Sequence, residues 1–104
     1  MKVITQAQHF SADYKLAEYL KQKLSKLEHF FDRIIEANVF LKLENSGQVR
    51  DKISEINIKI PGTTLVAKEV GKTFESSIDK AVFRLKRQLL KHKEKSKARI
   101  ASLK

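Results

Sequence analysis

Residues 53–70, ISEINIKIPGTTLVAKEV, contain the clearest structural pattern in this 104-residue chain. From residue 56 to residue 60 every second residue is an isoleucine, at Ile56, Ile58 and Ile60. Such alternation is typical of a β-strand with one face buried and the other in water. Pro61 and Gly62 then predict a turn, because proline restricts φ and glycine accepts a positive φ without steric cost. TTLVAKEV, residues 63–70, predicts the next strand.

Two further strands are predicted upstream of this stretch. EANVFLKLE (36–44) alternates strictly between apolar and polar residues, whereas KVITQAQHF (2–10) alternates loosely and is more polar. The segment NSGQVRD (45–51) contains a glycine and predicts a loop between two of the strands. Four strands are therefore expected.

Two segments have the three- and four-residue spacing of apolar residues that is typical of an amphipathic helix. The first contains Leu16, Leu20, Leu24, Leu27 and Phe31. The second contains Phe74, Ile78, Ala81, Val82, Leu85 and Leu89. Ser11 or Asp13 can cap the first helix and Thr73 the second, since their side-chain oxygens accept hydrogen bonds from the free N–H groups of the first turn.

The order of these elements is β-α-β-β-β-α, which predicts an α+β fold with a four-stranded sheet and two helices on one face. A right-handed strand–helix–strand crossover would make the first two strands parallel if they are neighbours. No linker or repeat divides the sequence, so we predict one domain over residues 1–97. The apolar period fades beyond it, and residues 98–104 are expected to form a basic, mobile tail.

Positive charge is concentrated in the last quarter of the chain. The whole sequence has 22 basic and 12 acidic residues, a net charge of +10. Residues 1–79 hold 12 of the bases and 11 of the acids, whereas residues 80–104 hold 10 bases and 1 acid. This asymmetry indicates a polyanionic partner, either nucleic acid or an anionic membrane.

The bases of the second helix form two lines, one on each side of its apolar face, at about 100° per residue. One line, the basic stripe, comprises Lys80, Arg84, Arg87, Lys91 and Lys95. The second line comprises Lys86, Lys93 and Lys97, and between the lines project Phe83 and Leu90. A solubilising face usually mixes signs, whereas bases four apart repel each other by roughly a few tenths of a kcal/mol. We therefore favour a binding face over an ordinary solvated one.

The first helix adds a lysine flank with aromatic residues in it. Lys15, Lys23 and Lys26 lie along one side of its apolar face, with Tyr19 and Phe30 between them. Rings among bases can stack on unpaired nucleobases, although extension of the core edge is the interpretation that we favour. If the two helices lie side by side, the lysine flank and the basic stripe could bound one groove.

Other kinds of site have little support. VGKTF (70–74) contains Gly-Lys-Thr, but a phosphate-binding loop needs a glycine five residues before Gly71, where Val66 stands. The three histidines, His9, His29 and His92, lack the spacing of metal ligands. We find no catalytic arrangement either, so we expect neither an enzyme nor a cofactor, a metal or a small-molecule substrate.

The chain has no cysteine, no secretory signal and no apolar run that could span a membrane. We therefore expect a cytoplasmic protein without disulfides.

Three segments resemble the bacterial ribosome hibernation promoting factor family, also called the sigma factor modulation protein family. They are LAEYLKQKLSKLEHFFDRI (16–34), PGTTLVA (61–67) and SSIDKAVFRLKRQLLKHKEK (76–95). The resemblance implies a fold similar to a double-stranded RNA-binding domain. It also implies binding to the small ribosomal subunit and its ribosomal RNA, in the decoding channel, where members block messenger RNA and tRNA binding and inhibit translation in stationary phase or stress. No stable homo-oligomer is expected.

The resemblance also implies an RNA-binding set. The family's basic positions fall on Lys23, Lys26, Arg84, Arg87, Lys91 and Lys93. The helical wheel adds Lys80 and Lys95. The chain ends at residue 104, without the C-terminal domain by which long members pair ribosomes, so a short form is expected. Two alternatives remain open: a general double-stranded RNA-binding module, and a membrane-surface helix that uses Phe83 and Leu90.

Overall fold

The computed structural model describes the backbone of residues 1–8, 10–46 and 49–102, and the side chains of residues 1–8, 10–44 and 51–95. Its elements are β1 (Lys2–Gln8), α1 (Tyr14–Phe30), β2 (Glu36–Ser46), β3 (Val49–Ile60), β4 (Thr63–Gly71) and α2 (Phe74–Ser102). The strands form one sheet in the order β1-β2-β3-β4. β1 and β2 are parallel, and the other two pairs are antiparallel. The predicted α+β class and the parallel first pair are confirmed.

The core lies between one face of the sheet and the apolar faces of both helices. Val39 of β2, Ile56 of β3 and Ala67 of β4 lie side by side in one row of that face and are buried. The helices contribute buried side chains from Leu16, Leu20, Leu24, Leu27, Ile78, Ala81, Leu85 and Leu89. Full burial of an aliphatic side chain stabilises a protein by about 1.5–3 kcal/mol. The shared core therefore holds α1 and α2 on the same side of the sheet.

Pro61 and Gly62 form the two-residue turn between β3 and β4, as predicted. Ile60 and Thr63 pair across it. Gly62 has a φ of +88°, which the third position of a type II turn requires and which a residue with a Cβ adopts only with strain.

Both predicted N-caps are present. The Leu16 N–H donates to Asp13 Oδ1 at 2.8 Å, so Asp13 rather than Ser11 caps α1. The Ser76 N–H donates to Thr73 Oγ1 at 3.0 Å at the start of α2. Each bond satisfies one N–H that the helix itself cannot.

A buried pair of hydroxyls ties α2 to the sheet. Ser77 Oγ donates to the Phe74 carbonyl at 3.1 Å and lies 2.6 Å from Ser54 Oγ in β3. Because a hydroxyl has one proton, Ser54 donates to Ser77 in this arrangement. Gly71 permits the close approach, since a Cβ at this position would lie 3.0 Å from the Ser77 nitrogen.

Three elements, β2, β3 and α2, are longer than their apolar patterns indicated. β2 and β3 continue to Ser46 and from Val49, across most of the segment 45–51 that was predicted as a loop. Backbone hydrogen bonds of a β-ladder do not require apolar side chains, so polar sequence can extend a hairpin. α2 likewise remains helical to Ser102.

Some predictions fall outside the described residues. They concern His9, Gly47 and Lys104, and the side chains of Lys97 and Arg99. The mobility of residues 98–104 and the domain boundary at 97 stay predictions. Within the described part of the chain, no helix is both long and apolar enough to cross a membrane.

Candidate nucleic-acid interface

α2 has two polar flanks, one along β4 and one along α1. On the first flank, Lys80 and Arg84 reach β4, which is an edge strand of the sheet. On the second flank, Lys93 Nζ donates to the carbonyl of Phe30 at the end of α1, at 2.8 Å. The basic stripe therefore lies on the β4 flank, and the second basic line lies on the α1 flank.

Three side chains of the β4 flank, which we call the edge donors, bond to alternate carbonyls of the edge strand. Lys80 Nζ lies 3.1 Å from the Val70 oxygen, and Arg84 Nη1 lies 3.4 Å from the Lys68 oxygen. Gln88 Nε2 lies 3.0 Å from the Val66 oxygen. An edge strand otherwise presents unpaired backbone groups to other chains, so the edge donors cover part of this edge.

The regular spacing of the edge donors has a geometric cause. Four residues of an α-helix rise about 6 Å, and two residues of an antiparallel strand span about 6.8 Å. A helix that lies alongside a strand can therefore match every fourth side chain to every second carbonyl. The residue numbers run in opposite directions, from 80 to 88 on α2 and from 70 to 66 on β4, so the two elements are antiparallel.

From Arg84 to Lys95 the basic stripe is open to solvent. Arg84, Arg87, Gln88 and Lys91 line a shallow depression of about 260 Å³. Arg84 also forms an ion pair with Glu69, with Nη1 3.2 Å from Oε1. Arg87, Lys91 and Lys95 are exposed. The predicted stripe is thus one continuous surface, in which Lys80 and Arg84 are engaged with β4 in this conformation.

An inter-helix groove lies on the other flank of α2. It has a volume of about 230 Å³ and is lined by Lys23, Lys26, Leu27, Asp79, Val82, Phe83 and Lys86. Lys23 and Lys26, two residues of the predicted set, belong to this groove. The hypothesis that the lysine flank of α1 and the basic stripe bound one groove is wrong, because α1 packs beside the second basic line.

Phe30 of α1 contacts two lysines of the second basic line, Lys86 and Lys93. Lys86 and Lys93 have their ammonium groups 5.1 and 4.5 Å from the centre of the Phe30 ring. Lys93 also donates to the Phe30 carbonyl, where the negative end of the α1 dipole favours a cation. Tyr19 and Phe30 are both partly buried against the core. The preferred interpretation of these two rings as an extension of the core edge is therefore confirmed.

Asp79 of α2 is an acid within this basic region. The Tyr19 hydroxyl donates to its Oδ1 at 2.6 Å, and Lys23 Nζ lies 3.3 Å from the same oxygen. The hydrogen bond to Asp79, then partial burial and the negative charges of Asp79 and Glu75, raise the pKa of Tyr19 to about 12. The neutral phenol therefore serves as a donor between the two helices.

Gln88 and Asp79 were missed by the sequence analysis, and Lys86 was assigned to the second basic line but not to the RNA-binding set. Asp79 and Lys86 fall at about the same angle of the helical wheel. Their position in a groove depends on where α1 packs, which the wheel does not contain. Among the described residues no group of histidines and acids could hold a metal ion. The exposed ammonium and guanidinium groups of this surface are chemically suited to binding anions.

Comparison with known families and structures identifies relatives of this chain. Residues 3–97 match the family model described as sigma 54 modulation protein / S30EA ribosomal protein. The ribosome hibernation promoting factor of Pseudomonas putida is 34% identical over 98 residues, which cover 94% of this chain and 92% of that protein. The factor of the same name from Escherichia coli K12 is 37% identical over 82 residues, covering 79% and 82%.

Two solved structures have the same fold. A ribosomal subunit interface protein from Coxiella burnetii superposes with a TM-score of 0.81 at 23% identity, over 90% of this chain and 99% of that one. The N-terminal domain of Protein Y from Thermus thermophilus gives a TM-score of 0.72 at 25% identity, over 85% and 94%. By the family model and by these relatives, the chain belongs to the sigma 54 modulation protein / S30EA ribosomal protein family.

Proposed function

We propose that this protein is a non-enzymatic ribosome hibernation factor. In this proposal it binds the small ribosomal subunit in the decoding channel, excludes messenger RNA and tRNA, and silences translation in stationary phase or stress. The observation that carries the proposal is the continuous basic surface of α2, where Arg84, Arg87 and Lys91 line one depression. Family membership and the names of the relatives support the same partner.

The proposed contact is between this surface and the phosphates of ribosomal RNA. The contact set is Lys23, Lys26, Lys80, Arg84, Arg87, Lys91, Lys93 and Lys95, drawn from both flanks of α2 and from α1. Each phosphate that is neutralised releases a counterion, so the logarithm of affinity falls by about 0.7–0.9 for each log unit of salt. Little base readout is required, because a folded RNA is recognised largely by its shape.

Charge reversal on the stripe tests the proposal. Arg84→Glu with Arg87→Glu should abolish co-sedimentation with small subunits. Both side chains are exposed, and the one ion pair that is lost, Arg84–Glu69, is largely solvated. The variant should therefore stay folded, with a small fall in the thermal unfolding midpoint. The matched control is Lys21→Glu with Lys42→Glu, which changes the net charge equally. Lys21 and Lys42 are exposed, on the β1 side of α1 and in β2 respectively.

The control variant should co-sediment like the unmodified protein. Retained co-sedimentation of the stripe variant at moderate salt would show that the stripe is not the contact surface. A parallel titration with naked duplex RNA separates the two RNA-binding functions. The hibernation factor should prefer intact subunits strongly, whereas a general double-stranded RNA-binding module would bind both comparably.

A further inference from the structure

Phe83 is a large apolar residue that lies outside the hydrophobic core. Its side chain is 63% exposed on α2. Other phenylalanines of the protein have partners within it. Phe10 stacks on Phe74, with ring centres 4.4 Å apart. Phe30 forms cation–π contacts with the ammonium groups of two lysines. A single exposed apolar residue is ordinary in a soluble protein. What distinguishes Phe83 is the set of groups around it.

The inter-helix groove combines three kinds of chemistry around this ring. Lys23, Lys26 and Lys86 supply positive charge, Phe83 supplies an aromatic face, and Asp79 supplies a carboxylate. Proteins that bind single-stranded nucleic acid combine cations for the backbone with aromatic rings on which bases stack. A carboxylate can in addition accept a hydrogen bond from the exocyclic amino group of a base, as from cytosine N4.

One oxygen of the Asp79 carboxylate, Oδ2, accepts no hydrogen bond from a described side chain. Both contacts of Asp79, from the Tyr19 hydroxyl and from Lys23, end on Oδ1. No described side chain bonds to Oδ2, and the Asp79 side chain is about half exposed. Because Tyr19 and Lys23 hold Oδ1, the orientation of the carboxylate is set before any ligand arrives.

We propose that the inter-helix groove binds one unpaired nucleotide of RNA. Its base stacks on Phe83, its phosphate lies between Lys26 and Lys86, and Asp79 Oδ2 accepts from an exocyclic amino group of the base. The inference that the ligand is RNA depends on the proposed function. The basic stripe on the other flank of α2 has no ring in its depression, so it suits the phosphates of paired strands.

An anionic membrane is the other polyanion that an exposed ring between bases could meet. The groove favours RNA for two reasons. The carboxylate of Asp79 would repel anionic lipid head groups but can pair with a base. The ring, moreover, lines a recess between two helices, and a flat lipid surface does not fill a recess.

The test is binding of short single-stranded oligo(C) and oligo(U) to the whole protein. Phe83→Ala should weaken oligo(C) binding about 5- to 150-fold, the equivalent of ~1–3 kcal/mol per stacked base. Alanine is a better helix former than phenylalanine, so an unchanged unfolding midpoint should accompany the loss. Phe83→Leu keeps an apolar side chain without a ring and should bind as weakly as Phe83→Ala, whereas Phe83→Trp should bind at least as well as the unmodified protein.

The role of Asp79 is tested by base preference rather than by affinity. The unmodified protein should prefer oligo(C) to oligo(U), because cytosine has an exocyclic amino group and uracil does not. Asp79→Ala should bring the ratio of the two affinities towards one, even if removal of a negative charge strengthens both. A ratio unchanged by Asp79→Ala would overturn the assignment of the carboxylate.

Failure of this inference is distinguishable from failure of the proposed function. If Phe83→Ala and Phe83→Leu bind both oligonucleotides like the unmodified protein, while the Arg84 and Arg87 reversal abolishes co-sedimentation, the nucleotide site is wrong and the function stands. If the unmodified protein fails to co-sediment with small subunits but binds oligo(C) through Phe83, the nucleotide site is supported and the proposed ribosomal function is wrong. Flotation with anionic vesicles that depends on Phe83, with oligonucleotide binding that does not, would assign the ring to a membrane.

Discussion

Replacing Glu69 by glutamine should strengthen binding of this protein to small ribosomal subunits. The structure holds Arg84 in an ion pair with Glu69, with Nη1 3.2 Å from Oε1, so a phosphate that binds this guanidinium competes with the carboxylate for its charge. Arg87 has no ion-pair partner among the described side chains. The two neighbouring arginines should therefore respond differently to the loss of this acid.

The size of the effect follows from the exposure of the pair. The side chain of Arg84 is about half exposed, and exposed ion pairs contribute about 0.2–1 kcal/mol. The second bond of Arg84, to the Lys68 carbonyl, is long at 3.4 Å and adds little. Glu69→Gln should therefore raise affinity about 1.4- to 5-fold, since 1.4 kcal/mol corresponds to a factor of ten. The isolated protein should lose a similar, small free energy of unfolding.

The assay is equilibrium sedimentation with purified small subunits over a salt series. Glu44→Gln is the matched control, because it removes the same charge from an exposed position in β2. The comparison is then repeated with Arg84→Gln in the background. The gain from Glu69→Gln should vanish there, since the ion pair no longer exists.

Two results would contradict the role given to Arg84. One is an equal gain from Glu44→Gln, which would show a general effect of net charge. The other is a gain from Glu69→Gln that persists in the Arg84→Gln background. A loss of affinity in Glu69→Gln would be stronger still, since it would make Glu69 part of the contact.

Two further predictions concern the helices. Tyr14→Phe leaves Tyr19 as the only tyrosine of the protein. In this variant a titration of tyrosinate absorbance should have its midpoint near pH 12, the raised pKa of Tyr19. Asp79→Ala should lower this midpoint, and the stability from the Tyr19–Asp79 bond, complete below about pH 10, should be lost as the pH rises through about 12. Leu85→Ala, at a fully buried position, should lower the free energy of unfolding in urea by about 2–5 kcal/mol. Leu90→Ala, at 47% exposure, should change it by less than about 0.5 kcal/mol, and equal losses would contradict the placement of the α2 apolar face.

The architecture was largely predictable because each element shows its own period. The isoleucines of β3 and the leucines of α1 mark one buried face each, and Thr73 marks the start of α2. Such patterns arise within a few neighbouring residues, so they need no knowledge of the rest of the chain. The segment 45–51 was predicted as a loop because it is polar, but polar residues can continue a β-ladder and are not detected by an apolar pattern.

One part of the candidate site, the basic stripe, was predictable for the same reason. The basic stripe lies on a single helix, so its members share a face in any fold that keeps α2 helical. Its relation to other elements was not predictable. That Arg84 bonds to β4, and that Asp79 meets Tyr19 across 60 positions of sequence, depends on how the helices sit on the sheet.

Local sequence thus specified the strands, the helices, their caps and the line of bases along α2. Tertiary packing specified which flank of α2 faces α1, and with it the groove around Phe83 and the bonds to the edge of β4. The physical reason is that an apolar face determines only which side of a helix turns inward. The neighbour on each flank is chosen when segments far apart in sequence bury those faces against one sheet.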